Sequence, residues 1–212
     1  MSSDAPSAEA AVQAALAAAR DVVASGVLSL SRHGNISVRI GDSDRFVYSI
    51  ARDLSRTTTR DLVQATFEGR LTEGTASDYT AAMIPLHAAI YRARPDTACT
   101  IHSHSRNATA FAVAREPIRP WTEAFRLYGM EDGVPVAAYA PRESPAAAAN
   151  VAKAIAGVRT QAVLIANHGV ICFNRSPELA VLTSILVEET AELGRLAQAL
   201  GEPQLVPLQR RS

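Results

Sequence analysis

The order of elements along the 212-residue chain predicts an α/β fold, with a central mixed sheet covered by helices. Three observations carry this. The chain opens on an alanine-rich stretch with helical period. "DTACTIHSHS" (96–105) alternates as a β-branched strand. The nearly apolar "TQAVLIANHGVICF" (160–173) precedes a long helical repeat. At this length, one domain spanning 1–212 is expected, large enough to bury a substantial core.

Taken in order, residues 1–6 read as a frayed tail. A helix follows from Ala8 to Ser25, with Val12, Leu16, Ala19 and Val23 on one face and Gly26 as its stop. "RHGNISVRI" reads as turn into strand, joined through "GDSD" to a second strand, "RFVYSIA", in a loose hairpin. "TTTRDLVQATFEGRLTEG" reads as a short helix or turn followed by a strand, punctuated by Gly69 and Gly74. A helix of about four turns is expected from Tyr79 to Arg94, ending before Pro95. After the strand "DTACTIHSHS" come a helix, "RNATAFAVA", and a strand, "GVPVAAYA". Ser144 is placed to cap the next helix, Pro145 to occupy its first turn and Gly157 to end it. "TQAVLIANHGVICF" is a strand pair broken at Asn167-His168-Gly169. Ser176-Pro177 opens a last helix, to Leu200, stopped by Gly201.

Composition narrows the function classes. The chain is 48% hydrophobic with a formal net charge of zero, which argues against disorder, a nucleic-acid partner or electrostatic membrane attachment. No segment approaches the ~18 apolar residues of a membrane span, and the N-terminus lacks the pattern of a signal peptide, so a soluble, cytoplasmic protein is expected. Cys99 and Cys172 sit in apolar runs without CxxC spacing and read as buried thiols. The single lysine, Lys153, lies on an alanine-rich, exposed helix; Schiff-base chemistry is not expected, and carbonyl chemistry would need another electrophile.

The chain has five histidines. His102 and His104, two apart on a strand, point the same way, with Cys99 and Ile101 on the other face. His168 ends the most apolar segment at a strand-to-turn step, where a titratable group needs a partner. Together the three form a nitrogen site suited to Zn²⁺, or to Fe²⁺, Mn²⁺ or Co²⁺, with positions open for a substrate. His87, among apolar neighbours on a helix, reads as a hydrogen-bonded structural histidine; His33 sits in a turn.

"GNISVR", "LHAAIYRARPDTACTIHSHSRNATAFA" and "LIANHGV" occur in the order and spacing of the class II aldolase/adducin family, which the chain resembles over nearly its whole length. The resemblance implies a three-layer α/β/α fold around a nine-stranded, largely antiparallel sheet, assembled as a homotetramer with sites near subunit interfaces. It implies that His102, His104 and His168 hold zinc, and that Gly34 and Asn35 line the substrate pocket. In such a site the ion acts as a Lewis acid, and an enediolate forms as a C–C bond breaks or a proton leaves.

The sequence also departs from that family. Where family aldolases and epimerases carry Ser-Ser-Glu or Ser-Ser-Asp, this chain has Ala81-Ala82-Met83, and a thioether is no general base. The glycine-containing phosphate loop is replaced by "YSIAR" (48–52). A non-phosphorylated substrate is therefore expected, with Arg52 able to grip a carboxylate and Met83 part of an apolar pocket wall. Glu123 and Tyr128, in "WTEAFRLYG", are the candidates to replace the missing acid. The leading expectation is a metal-dependent lyase performing aldol cleavage or decarboxylation on a small hydroxy- or keto-acid. The alternatives are a non-haem Fe²⁺ oxygenase on the same fold and a non-catalytic, adducin-like scaffold.

Overall fold

The structure is a computed structural model that describes residues 7–207; the expected frayed tail, 1–6, lies outside that range. Helix α1 (Ala8–Ala24) starts where the Ser7 hydroxyl accepts from the Ala10 N–H, and Gly26 turns the chain away with φ +76°. Strands β1 (Gly34–Arg39), β2 (Arg45–Ser49), β3 (Leu62–Thr66) and β4 (Leu71–Glu73) form an antiparallel meander. The single strand expected after "TTTRD" is thus two, folded back at Gly69 with φ +82°.

The helix expected over 79–94 is broken. α2 (Asp78–Ala81) covers one turn, and α3 (Ile84–Ala93) begins afresh after Ala82 and Met83. Pro85 is the cause: it has no N–H to give, and in a continuous helix its ring would strike the carbonyl of Ala81. Beyond α3 come β5 (Cys99–Ser103), α4 (Arg106–Ala114), α5 (Glu123–Leu127), β6 (Val136–Ala137) and α6 (Pro145–Ile155). The chain closes with β7 (Ala162–Ile165), β8 (Gly169–Asn174) and α7 (Pro177–Leu200). At α6 the expected cap is not made; the Ser144 hydroxyl donates instead to the Pro141 carbonyl, 2.6 Å away.

The sheet runs β4-β3-β2-β1-β5-β8-β7-β6, antiparallel except for the parallel β6–β7 edge. Eight strands are present among the described residues rather than the implied nine. "GVPVAAYA" yields only two strand residues, because Pro135 can accept from Leu164 but donate nothing back. Alternation assigns the faces. Phe46, Tyr48, Ile171 and Phe173 pack towards α3 and α6, while Ile36, Val38, Cys99 and Ile101 pack under α1 and the start of α7. Leu164, Val170 and Cys172 meet α4, α5 and α7. Three layers result, and both cysteines are buried and free. No helix among the described residues is long and apolar enough to cross a membrane.

Candidate metal centre

β5 is the fifth strand from the β4 edge, so its residues are enclosed from both sides: Asn35 of β1 and Ile171 of β8 flank His102. His102 faces the α3 side, opposite Ile101, and is buried. His104 lies one residue past the strand end and is half-buried. His168 comes from the turn between β7 and β8. Its N–H donates to the Ile165 carbonyl at 3.0 Å, and Asn167 takes φ +58°, a conformation that asparagine tolerates well. The turn is moored to α4: the Asn167 N–H donates to the Ala112 carbonyl, and the Arg115 guanidinium donates to Asn167 Oδ1.

The three imidazoles converge, with one nitrogen of each within 4.8 Å of the other two and ring centroids 4.9–5.1 Å apart. Gly169 makes this approach possible. A Cβ there would stand 2.6 Å from the Ser103 carbonyl and 2.8 Å from His104 Cδ2.

The donor chemistry fits a divalent ion. His102 Nδ1–H donates to the Val170 carbonyl at 2.9 Å, which leaves its Nε2 unprotonated and turned towards His104 Nε2, 3.2 Å away. That spacing matches two ligands of one ion with metal–nitrogen bonds of about 2.0–2.1 Å. Burial holds His102 well below the usual imidazole range and brings His104 down to about 4. His168 is lowered too, by burial first and then by the Arg142 guanidinium. All three are therefore neutral at pH 7, with lone pairs ready to bind.

Beside the triad opens a small cavity of about 330 Å³, counting its mouth. It gathers Gly34, Asn35, Arg52 and Met83, the four substrate-binding candidates from the sequence, together with His102 and His168. At Gly34 a Cβ would collide with the backbone of β5, at the His102 carbonyl. Asn35 is held from behind, its Oδ1 accepting from His87 Nε2–H at 2.7 Å. His87 Nδ1 in turn accepts from the Thr100 hydroxyl, with the Ser37 hydroxyl in reach of both. His87 is fully buried and brought down to about 3 by that burial, as befits a structural histidine.

The structure does not bring Glu123 and Tyr128 to this cavity. They are the first residue and the C-cap of α5; both are exposed, and neither lines it. Among the lining residues that escaped the sequence reading are His33, Tyr79 and Arg142. Arg142 sits with its guanidinium carbon 4.0 Å from the centre of the Tyr79 ring, and Arg52 approaches the same ring at 5.0 Å. His33 Nδ1–H donates to the Arg52 carbonyl at 3.0 Å, leaving Nε2 to accept from the Tyr79 hydroxyl at 3.4 Å. His33 is two residues before Asn35 and Tyr79 four before Met83, spacings that share a face in strand and helix respectively. Arg142, in the loop before α6, has no local sequence signal.

A layered sheet with three neutral histidines converging at the end of its central strands defines a metal-dependent lyase of the class II aldolase type. The chain belongs to the family described as the class II aldolase and adducin N-terminal domain, which matches residues 13–194. Among its relatives is the 5-methylthioribulose-1-phosphate/5-deoxyribulose-1-phosphate aldolase of Rhodospirillum rubrum. That protein is 29% identical over 194 residues, covering 90% of this chain and 82% of its own. Decarboxylase NovR of Streptomyces niveus is 27% identical over 165 residues, 74% of this chain; the match spans only 58% of NovR. An L-fuculose 1-phosphate aldolase structure superposes with a TM-score of 0.83 at 26% identity, covering 97% of this chain and 94% of its own.

Proposed function

We propose that the chain is a zinc-dependent lyase acting on a small, non-phosphorylated hydroxy- or keto-acid, with decarboxylation favoured over aldol cleavage. One observation carries the preference. The cavity beside the triad presents the guanidiniums of Arg52 and Arg142, and among the described residues no carboxylate lines it. Aldol cleavage requires a base to take a hydroxyl proton, whereas loss of CO₂ requires none. Two guanidiniums also match a carboxylate as forked donors, while the hydroxyls and loop glycine of a phosphate cradle are missing.

His102, His104 and His168 would hold the ion, which supplies Lewis acidity to the electron pair released by bond cleavage. Asn35, its Oδ1 committed to His87, keeps its amide N–H groups for a substrate oxygen. Arg52 and Arg142 orient the acid group. The carbon that loses CO₂ must gain a proton, and Tyr79, bonded to His33, is one of the hydroxyl residues lining the cavity and our candidate to deliver it. Glu123 and Tyr128, exposed on α5, keep an acid–base role in this reading only through a neighbouring subunit of the homotetramer that the family resemblance implies.

The test is a panel of hydroxy- and keto-acids offered to metal-loaded protein, scoring CO₂ and aldehyde separately. CO₂ release, abolished by chelation, is expected; stoichiometric aldehyde without CO₂ would return the reading to aldol cleavage. The all-histidine ligand set also suits Fe²⁺, so oxygen uptake by iron-loaded protein would instead identify an oxygenase.

A further inference from the structure

We propose that Arg52 and Arg142, gathered on the ring of Tyr79, form a second acid-binding subsite, and that the substrate is a dicarboxylate whose held carboxylate is not the one lost. The inference rests on the decarboxylase reading above and adds the substrate class.

The two guanidiniums lie within 5.0 Å and 4.0 Å of one ring centre and line the cavity that contains His102 and His168. Stacking against an aromatic ring fixes the plane of a guanidinium and leaves its N–H edge free for an anion. Arg142 donates through Nε to Glu143 at 2.8 Å, so its terminal amino groups remain available. Arg52 makes no ion pair among the described residues, and the His33 ring anchors its carbonyl. Glu143 offsets the Arg142 charge, whereas the Arg52 charge has no acidic partner among the described residues, so a bound anion would balance it.

The charge arrangement separates the two acid groups by role. A carboxylate that departs as CO₂ surrenders its negative charge, so guanidiniums that stabilise the anion oppose its departure. A group held by Arg52 and Arg142 is therefore retained. The departing group belongs in apolar surroundings, and the same cavity supplies them with Ile50 and the buried Met83. In the reaction, the bond between the substrate carbon and the departing carboxylate breaks, CO₂ leaves, and the bonding pair stays on the carbon skeleton. That carbon takes one proton from solvent through Tyr79, and a monoacid product stays in the subsite until release.

The test compares three matched pairs by calorimetry on metal-loaded protein: tartronate with glycolate, malate with lactate, and 2-hydroxyglutarate with 2-hydroxybutyrate. Each diacid differs from its partner by one carboxylate. At least one diacid is expected to bind about tenfold or more tightly than its monoacid, the scale of a charge-assisted forked contact. That preference should collapse in Arg142→Ala and Arg52→Ala while metal content and the melting temperature hold. Equal affinity across all three pairs, or a preference surviving in the double variant, overturns the subsite. Metal content reports separately on the lyase reading. If His102→Ala retains as much metal as the parent, that reading fails, while an Arg142-dependent diacid preference would still stand.

Discussion

His87 on α3 and His102 on β5 are 0% and 1% exposed, and burial lowers both, yet their nitrogens are treated differently. Both nitrogens of His87 find protein partners: Asn35 on one side, Ser37 and Thr100 on the other. His102 satisfies one nitrogen at the Val170 carbonyl and turns the other towards a second imidazole. A structural histidine closes its hydrogen bonds inside the protein; a ligand histidine keeps one lone pair in reserve. Burial alone does not separate the two roles, and the partner of the second nitrogen does.

The largest expected effect tests the reserved lone pair. His102→Ala should reduce metal affinity well beyond the roughly 100-fold that follows loss of an outer hydrogen-bond partner. Metal content after dialysis measures it, with circular dichroism confirming the fold. Stoichiometric metal in that variant would break the comparison at its ligand side.

A middle-sized effect tests the closed side. His87→Leu strands the Asn35 carbonyl oxygen in the core and leaves the Ser37 and Thr100 hydroxyls only each other and Tyr91, which should cost about 2–4 kcal/mol in urea unfolding. Metal content should stay at the parental value. Loss of metal along with stability would make His87 part of the centre rather than a brace behind it.

The smallest effect lies in the pH dependence. Free imidazole takes up a proton near 6.5, whereas His87 in the fold resists protonation down to about 3. Between those values the unfolded chain binds more protons. The contribution of His87 is therefore present above about pH 6.5 and is lost as pH falls towards 3. In metal-free protein, where the triad adds slope of the same sign, His87→Gln should flatten stability against pH; over the single unit from pH 6 to pH 5 the difference is up to about 1.4 kcal/mol. Parallel curves for parent and variant would remove His87 from that account.

The fold was legible because both sheet faces are buried. Apolar runs such as "AVLIA" and period-two spacing in "TIHSHS" survive in one dimension, and so did the three histidines. The break at Met83 was also written locally, in Pro85, but sits inside an otherwise helical pattern that conceals it. The cavity wall was harder. Arg52, Tyr79 and Arg142 meet across two loops and a one-turn helix, and nothing in the spacing of 52, 79 and 142 announces a shared ring. Glu123 and Tyr128 were chosen from a segment rather than from a partner, and on this chain they face solvent.

The interruption at Ala82–Met83 has an engineering consequence. Because α3 restarts after it, the turn that carries Tyr79 is not a continuation of the helix that braces Asn35; its tie to the sheet is the Tyr48 hydroxyl donating to the Thr80 carbonyl. Residues 78–82 therefore form a short cassette between a fixed ion holder and an exchangeable reader of the incoming molecule. Swapping those five positions, with Arg52 and Arg142, offers a way to retarget the enzyme without touching the strands that carry its histidines.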